Sequence, residues 1–193
     1  YNIRFIAVGD NVDSAVTENT GMDMTPIMNV FNEWHAANTS KKIRAVIEAN
    51  AREGIYRSNQ APYGYIKGDD DKRLPIVDSE AAAYVRRMFE MRASGVSPHH
   101  IAQIYNNEGI LPPGDYKEQK LGIPNTRKSH HLWPSATVKQ VLTNPIYLGH
   151  MVQLKTTNVS YKNKKQIKRD PEDMVWVYNT HEAIVTQELW DKC

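Results

Sequence analysis

The longest stretch of periodic apolar residues lies near the start of the chain, between Thr25 and Gly54. Thr25 and Pro26 form a typical helix start and Gly54 a typical stop, so the sequence predicts one helix of about 28 residues. Its apolar side chains are Ile27, Val30, Phe31, Trp34, Ile43, Val46 and Ile47. A polar segment, residues 38–42, interrupts this stripe, which resumes on roughly the opposite face because each residue turns the helix by about 100°. We therefore expect the two halves of the helix to pack on different bodies.

Apolar residues also alternate at the very start of the chain, from Asn2 to Val8. This pattern predicts a largely buried strand, followed by a loop rich in Gly, Asp, Asn, Ser and Thr. A single strand is not stable by itself, and no partner precedes this one. We therefore expect the chain to be an internal fragment of a longer protein.

Shorter elements follow Gly54. Residues 63–66 and 74–77 predict the two arms of a hairpin, with its turn at Gly68 to Asp71. A helix is expected to begin at Asp78 or Ser79 and to end at Gly95, and another to begin at Ser97 with Pro98 at its first position. A long polar loop is expected after that second helix.

The segment from Pro134 to Val152 combines a short amphipathic helix with an extended stretch. The buried side of the helix is predicted to pack on Ile101 and Ile104, and consists of Val138, Val141 and Leu142. Residues 146–148 predict a strand, and the segments "YLGHMVQL" and "DMVWVYN" predict a wing-like pair. We expect an α+β fold, mainly α with small β elements, in which a long linking helix precedes a helix-turn-helix or winged-helix-like DNA-binding domain.

The charge of the whole chain is nearly balanced, with 24 basic and 22 acidic residues, and favours no class of partner. The local distribution is more informative, because one run between residues 155 and 169 has no carboxylate. Its cations are Lys155, Lys162, Lys164, Lys165, Lys168 and Arg169. Two interpretations stay open, a solvated loop and a loop that contacts phosphates.

Several classes of site are not expected. Cys193 is the only cysteine, so neither a disulfide nor a thiolate zinc site can form within the chain. The histidine pairs at 99–100 and 130–131 and the acidic residues 69–71 lack the spacing of metal ligands. No apolar run approaches the ~20 residues of a membrane span, and no signal peptide opens the chain. We therefore expect a cytoplasmic protein with no membrane partner.

Five segments, taken in order, resemble the large serine recombinases, which are site-specific recombinases of the resolvase/invertase type. "IRFIAVGDNVDS" is similar to the last strand of their catalytic domain, and "NEWHAANTSKKIRAV" to the long helix after it. "APYGYIKGDDDKRLPIVDSEAAAYVRRMFEMRASGVSPHHIAQIYNNEGI" and "WPSATVKQVLTNPIYLGHMV" together resemble their first DNA-binding domain, the recombinase domain. "HEAIVTQELWDKC" resembles the lead-in to their zinc-ribbon domain. The similarity covers nearly the whole chain.

The resemblance implies four regions. Residues 1–54 would be the end of the catalytic domain, 55–62 a linker, 63–179 the recombinase DNA-binding domain and 180–193 the truncated start of the zinc-ribbon region. The nucleophilic serine would lie upstream, so this chain is expected to hold no catalytic residue and to be inactive alone. Any zinc would lie in the missing ribbon, which leaves no cofactor or metal here. Where many members have an arginine in the long helix, this chain has "HAAN" at residues 35–38.

The resemblance also implies the partners and the reaction. The partners would be a double-stranded DNA attachment site and further copies of the chain, as a dimer and in a synaptic tetramer. In the full-length protein the serine attacks a DNA phosphate, the strands are exchanged by subunit rotation, and the phosphoserine linkage is then reversed, giving integration or excision. The setting would be a cytoplasm, with the protein either bacterial or encoded by a phage or a conjugative element.

Three groups of residues are predicted to contact DNA. The outer face of the short helix would read the major groove, where Gln pairs with adenine and Lys with guanine. Arg57, in the extended linker, would read minor-groove width. Cations of the long helix and of the basic run would contact phosphates. The complete set is Lys41, Lys42, Arg44, Arg52, Arg57, Ser135, Thr137, Lys139, Gln140, Thr143, Lys162, Lys164 and Lys165.

A second function fits the same elements. A stand-alone transcription regulator could use the winged-helix module to bind DNA and the long helix as a dimerisation arm. The two hypotheses differ upstream, because only a recombinase requires a catalytic domain encoded before Tyr1.

Overall fold

The computed structural model describes residues 4, 6, 7, 12, 13, 25–69, 73–124 and 131–193. The helices are α1 (Thr25–Arg52), α2 (Ser79–Ala93), α3 (Pro98–Asn107), α4 (Pro113–Leu121), α5 (Ser135–Leu142) and α6 (Gln187–Asp191). The strands are β1 (Ile6–Ala7), β2 (Val12–Asp13), β3 (Tyr65–Lys67), β4 (Pro75–Val77), β5 (Met151–Gln153), β6 (Thr156–Asn158), β7 (Gln166–Lys168) and β8 (Val175–Val177). Short strands among longer helices confirm the predicted α+β class.

The described strands pair two by two. β1 pairs with β2, β3 with β4, β5 with β8 and β6 with β7. The chain divides into two compact units, the first formed by residues 1–46 and 158–165 and the second by residues 47–157 and 166–193. No helix among the described residues is long and apolar enough to cross a membrane.

The first unit contains most of α1, and the predicted 28-residue helix is confirmed. Six apolar side chains of the predicted stripe are at least half exposed, namely Ile27, Val30, Phe31, Trp34, Ile43 and Val46, whereas Ile47 is half-buried. The expected packing of each half on a body of its own therefore stays a prediction. The prediction of a buried strand without a partner is wrong for the described residues, because β1 pairs antiparallel with β2 and Ile6 is 53% exposed. The expectation that the chain is an internal fragment stays a prediction.

The second unit is built around an apolar core to which α2, α3 and α5 each contribute one face. Its largest fully buried side chains are Tyr105, Tyr147, Phe89, Met88, Ile101, Val85 and Val138. Helix starts follow the sequence signals, since Asp78 accepts hydrogen bonds from the first turn of α2 and Ser97 accepts one from the His100 N–H. The predicted hairpin is confirmed as β3 and β4, although part of its predicted turn lies outside the described residues.

Buried tyrosines connect distant parts of this core. The Tyr147 hydroxyl donates to the Tyr63 carbonyl at 2.9 Å, and the Tyr65 hydroxyl donates to the Glu182 carbonyl at 2.9 Å. Burial raises the pKa of the Tyr65 and Tyr147 hydroxyls, so both stay protonated donors at neutral pH. Because each hydroxyl is satisfied within the core, the apolar interior tolerates these polar atoms.

The prediction of a long polar loop after α3 is partly wrong, because this segment contains helix α4. It spans Pro113–Leu121 and is followed by Gly122, which adopts a left-handed conformation with φ of 64°. The Tyr116 hydroxyl donates to Asp78 at 2.8 Å, and the Lys117 ammonium donates to the Ala61 carbonyl at 2.6 Å. The helix buries one apolar side chain, Tyr116, in the core and is otherwise held by polar contacts, so hydrophobic periodicity does not reveal it.

The prediction of a strand at residues 146–148 is wrong, because these residues lie in a 3₁₀ turn, Pro145–Leu148. The Asn144 side chain accepts a hydrogen bond from the Ile146 N–H and Pro145 occupies the first position, two features that start a helical turn. The wing-like strands were placed correctly, since β5 and β8 pair antiparallel with Met151 opposite Val177.

The last residues of the chain complete the core of the second unit. Ile184 and Val185 are 4% and 3% exposed, and α6 packs on α2. Gly149 adopts φ of 79°, and a β-carbon there would lie 2.7 Å from the His181 carbonyl oxygen. Glycine is therefore required where these two segments meet. The predicted boundaries of the four regions stay a prediction.

Candidate nucleic-acid interface

Helix α5 has a buried rear face and an exposed front face. Its rear residues, as predicted, are Val138, Val141 and Leu142, which are at most 8% exposed and lie in one cluster with Ile101 of α3. The front carries Ser135, Lys139 and Gln140, all exposed, whereas Thr137 is half-buried. The exposed Thr143, just after the helix, donates its hydroxyl to the Lys139 carbonyl at 2.8 Å. Within the described part of the chain, neither Lys139 nor Gln140 has a side-chain partner, so both are available to a ligand.

The start of α5 is fixed by Trp133, which is 2% exposed. The Trp133 N–H donates to the Asn106 side chain at 2.6 Å, and the Asn106 amide donates back to the Trp133 carbonyl at 3.2 Å. The Trp133 indole N–H donates to the Ile110 carbonyl at 2.9 Å. These bonds tie the N-terminus of α5 to the end of α3. The direction in which the front face points is therefore set by a buried anchor that the sequence reasoning did not single out.

The linker that carries Arg57 is anchored on both sides of that residue. The Gln153 amide donates to the Ile55 carbonyl at 2.9 Å, and the Tyr56 hydroxyl donates to the Gln60 carbonyl at 2.9 Å. Tyr56 is 8% exposed, whereas Arg57 is exposed. The backbone is thus fixed while the guanidinium faces solvent, which suits an arm that inserts one arginine into a groove.

The predicted cations of α1 fall into both units. Lys41, Lys42 and Arg44 are exposed side chains of the first unit. Arg52 belongs to the second unit and donates to Glu48 at 2.7 Å, with both side chains exposed. An exposed pair of this kind holds an arginine only weakly, so Arg52 can exchange Glu48 for a phosphate.

The basic tip, which we define as residues 158–165, lies in the first unit and is held by Glu33 of α1. The Tyr161 hydroxyl donates to Glu33 at 2.9 Å, and the Lys162 ammonium also donates to the Glu33 carboxylate. The hydrogen bond with Lys162 lowers the pKa of Glu33 and raises that of Lys162. Lys164 and Lys165 are exposed, and no partner for their ammonium groups lies among the described residues. Sequence reasoning missed Glu33 because it lies 129 residues from Lys162.

The structure thus distributes the predicted contacts over two units. Arg52, Arg57 and the front of α5 lie in the second, and the basic tip lies in the first with Lys41, Lys42 and Arg44. Among the described residues no group of three His, Cys, Asp or Glu side chains could hold a metal ion. His130 and the acidic residues 70 and 71 lie outside the described residues.

Comparison with known proteins gives a family and a partial structural likeness. The family model described as Recombinase matches residues 79–193. A structure described as "Sequence Requirements of the Listeria innocua prophage attP site" is 15% identical, with a TM-score of 0.45 over 77% of this chain and 48% of that one. A structure described as "Crystal Structure of a LSR-DNA Complex" is 18% identical, with a TM-score of 0.42 over 77% of this chain and 37% of that one. This chain therefore spans less than half the length of either.

Proposed function

The chain belongs to the Recombinase family, whose model matches more than half of it, and from this premise we propose that it is the DNA-binding and self-associating part of a site-specific serine recombinase. The observation that carries the proposal is α5, which buries Val138, Val141 and Leu142 and exposes Lys139 and Gln140. A short helix of this kind, rigidly backed and polar in front, fits the major groove of B-DNA.

The proposed contacts are of two kinds, those made in the grooves of the DNA and those made with its phosphate backbone. Lys139 and Gln140 have the donors and acceptors to bind guanine and adenine edges, and therefore supply specificity. Arg52, the basic tip and the α1 cations supply sequence-independent attraction to phosphates. Arg57 supports a minor-groove contact because its backbone is anchored and its side chain is exposed.

The proposed reaction of the complete protein is strand exchange through a phosphoserine intermediate. In that scheme the residues discussed above only bind and orient DNA, and the nucleophile belongs to the catalytic domain. Zinc would be held by a separate ribbon domain. The setting would be a bacterial cytoplasm, where an attachment site and the recombinase that reads it are found together.

Self-association is supported by the exposed apolar side chains of α1. Phe31 and Trp34 have ring centroids 5.9 Å apart and are 56% and 58% exposed. Exposed apolar groups in such a row commonly mark a protein contact. Sedimentation velocity should show a concentration-dependent dimer, and Trp34→Glu should shift the chain to monomer. A chain that is monomeric at every concentration would remove this part of the proposal.

The function is tested by binding selection from a pool of random duplexes. We expect one sequence to be enriched, and denaturing electrophoresis of the complex to show no covalent protein–DNA adduct, because this chain only binds. Absence of enrichment would contradict the reader role of α5, and a stable adduct at any serine would contradict the division between binding and chemistry. A reading frame without a catalytic domain upstream of Tyr1 would favour the stand-alone regulator.

A further inference from the structure

The second unit contains an open cleft of about 520 Å³ at the point where three segments meet. The linker contributes Arg57 and Ser58, the end of the α5 segment contributes Asn144, and the chain from β5 into β6 contributes Lys155 and Thr156. The linker, with Arg57, and the basic run that begins at Lys155 were predicted from the sequence to contact DNA independently of each other. The fold brings them together in the lining of one cavity.

The lining of the cleft combines an apolar floor with positive charge. The floor includes Val152 and Leu154, and the cations are Arg57 and Lys155. Among the described residues, no carboxylate lines the cleft. Partial burial lowers the pKa of the Lys155 ammonium, while the residue as a whole stays exposed and accessible to an anion. A cation in that state gains more from a nearby anion than one in bulk water.

These features distinguish between possible parts of a nucleic acid. A base inserted into the cleft would need an aromatic face to stack on. Tyr56, which supplies the aromatic ring in the described part of the lining, is 8% exposed and uses its hydroxyl on the Gln60 carbonyl. The amide of Gln153 is similarly occupied by the Ile55 carbonyl. An apolar floor next to cations fits a sugar and its phosphate.

We propose that this cleft seats one strand of the DNA duplex, with a deoxyribose against Val152 and Leu154 and the adjoining phosphate on Lys155. Arg57 also lines this cleft, so it would lie beside the groove that the seated strand borders. The inference rests on the proposed DNA-binding function and adds to it a backbone site that fixes the duplex relative to α5.

The test is fluorescence anisotropy with a short, labelled, mixed-sequence duplex over a series of salt concentrations. Lys155→Gln should lower affinity several-fold at low salt and weaken the slope of log affinity against log salt by about 0.9, the value expected for a single phosphate. Lys192→Gln removes the same charge from an exposed position outside the cleft and should leave the slope unchanged.

A second pair of variants tests the floor. Val152→Asp places a carboxylate in the path of the strand and should lower affinity at least tenfold. Ile76→Asp makes the same kind of change on β4, at a side chain that is 53% exposed and does not line the cleft, and should have little effect. Thermal unfolding identifies a variant that has lost its fold. If Val152→Asp has lost its fold, Lys155→Gln alone tests the cleft.

The outcomes separate the two proposals. If the parent chain binds the duplex and Lys155→Gln behaves like Lys192→Gln, the cleft is not a strand site although the DNA-binding function stands. If the parent chain fails to bind any duplex, the DNA-binding function itself is wrong and the cleft proposal falls with it. A weaker slope for Lys155→Gln together with intact binding by both controls supports the cleft.

Discussion

Helix α5 and the basic tip are both predicted to contact DNA, yet they are held in different ways. α5 rests on three buried side chains, and the Trp133–Asn106 bonds fix its first turn. The basic tip is held by hydrogen bonds of Tyr161 and Lys162 to an exposed carboxylate, Glu33. One element is part of a core, and the other is attached to a helix surface.

The way in which each element is held indicates which one can read a sequence. Base recognition requires donors and acceptors in fixed directions, and a helix packed into a core supplies that. Phosphate contacts need charge and reach but little precision. Exposed ion pairs contribute little free energy and exchange readily, so the tip can rearrange on a DNA backbone. We therefore expect α5 to supply specificity and the tip to supply charge.

The largest effect is expected on stability. Ile101→Ala should lower the free energy of unfolding by about 2–5 kcal/mol, because Ile101 is fully buried in the cluster that supports α5. Ile167→Ala, at a 46% exposed position on β7, should change it by less than about 0.5 kcal/mol. Urea unfolding measures both. Equal losses in the two variants would remove the distinction between core-backed and surface elements.

The next effect concerns specificity. Lys139→Ala and Gln140→Ala should each lower the ratio of specific to non-specific affinity about 5- to 150-fold, which corresponds to the ~1–3 kcal/mol of one good base contact. Competition between the selected duplex and a scrambled one at a single salt concentration measures the ratio. Arg52→Ala serves as the comparison and should weaken both duplexes alike. If the α5 variants also weaken both alike, α5 positions the protein without reading bases.

A smaller effect is expected from the tip. Replacing Lys162, Lys164 and Lys165 by Ala should weaken the salt slope by about 0.9 for each phosphate that the tip no longer neutralises, and should leave the specificity ratio unchanged. Binding to the selected and scrambled duplexes over a salt series measures both quantities. An unchanged slope would show that the tip is a solvated loop that contacts no phosphate.

The smallest effect is expected from Glu33, which would compete with a DNA phosphate for Lys162. Glu33→Gln should raise duplex affinity about two- to threefold, the size expected for a weak exposed pair. Because Lys162 holds the pKa of Glu33 below its usual value, the pair is fully formed above that value and is lost as pH falls through the lowered one. The gain in Glu33→Gln should therefore shrink at acidic pH. A variant that binds more weakly than the parent would show that Glu33 orders the tip for binding.

The sequence predicted elements that carry their own local signals. Asp78, Ser97 and Pro98 marked helix starts, and the spacing of Val138, Val141 and Leu142 identified the buried face of α5. Helix α4 carries no such apolar stripe. Polar contacts of Tyr116 and Lys117 with distant residues hold it in place, and no local sequence pattern indicates such contacts.

Local sequence patterns predicted the individual residues of the candidate site but not the contacts between them. Single cations and polar residues could be chosen from local patterns. The pairing of Lys162 with Glu33 and the convergence of Arg57 and Lys155 on one cleft depend on contacts between residues far apart in the sequence. A single sequence contains no signal for such contacts, and only the fold supplies them.

The bond from the Tyr65 hydroxyl to the Glu182 carbonyl spans 117 residues, and it has a consequence for synthesis. Ile184 and Val185 complete the core from the same segment, so the second unit cannot bury its interior until almost all of its residues have left the ribosome. Contacts of such high sequence separation slow folding, since a long loop must close before they form. A nascent chain that stops before residue 182 would leave apolar surface uncovered, which is the state that chaperones bind and that aggregates.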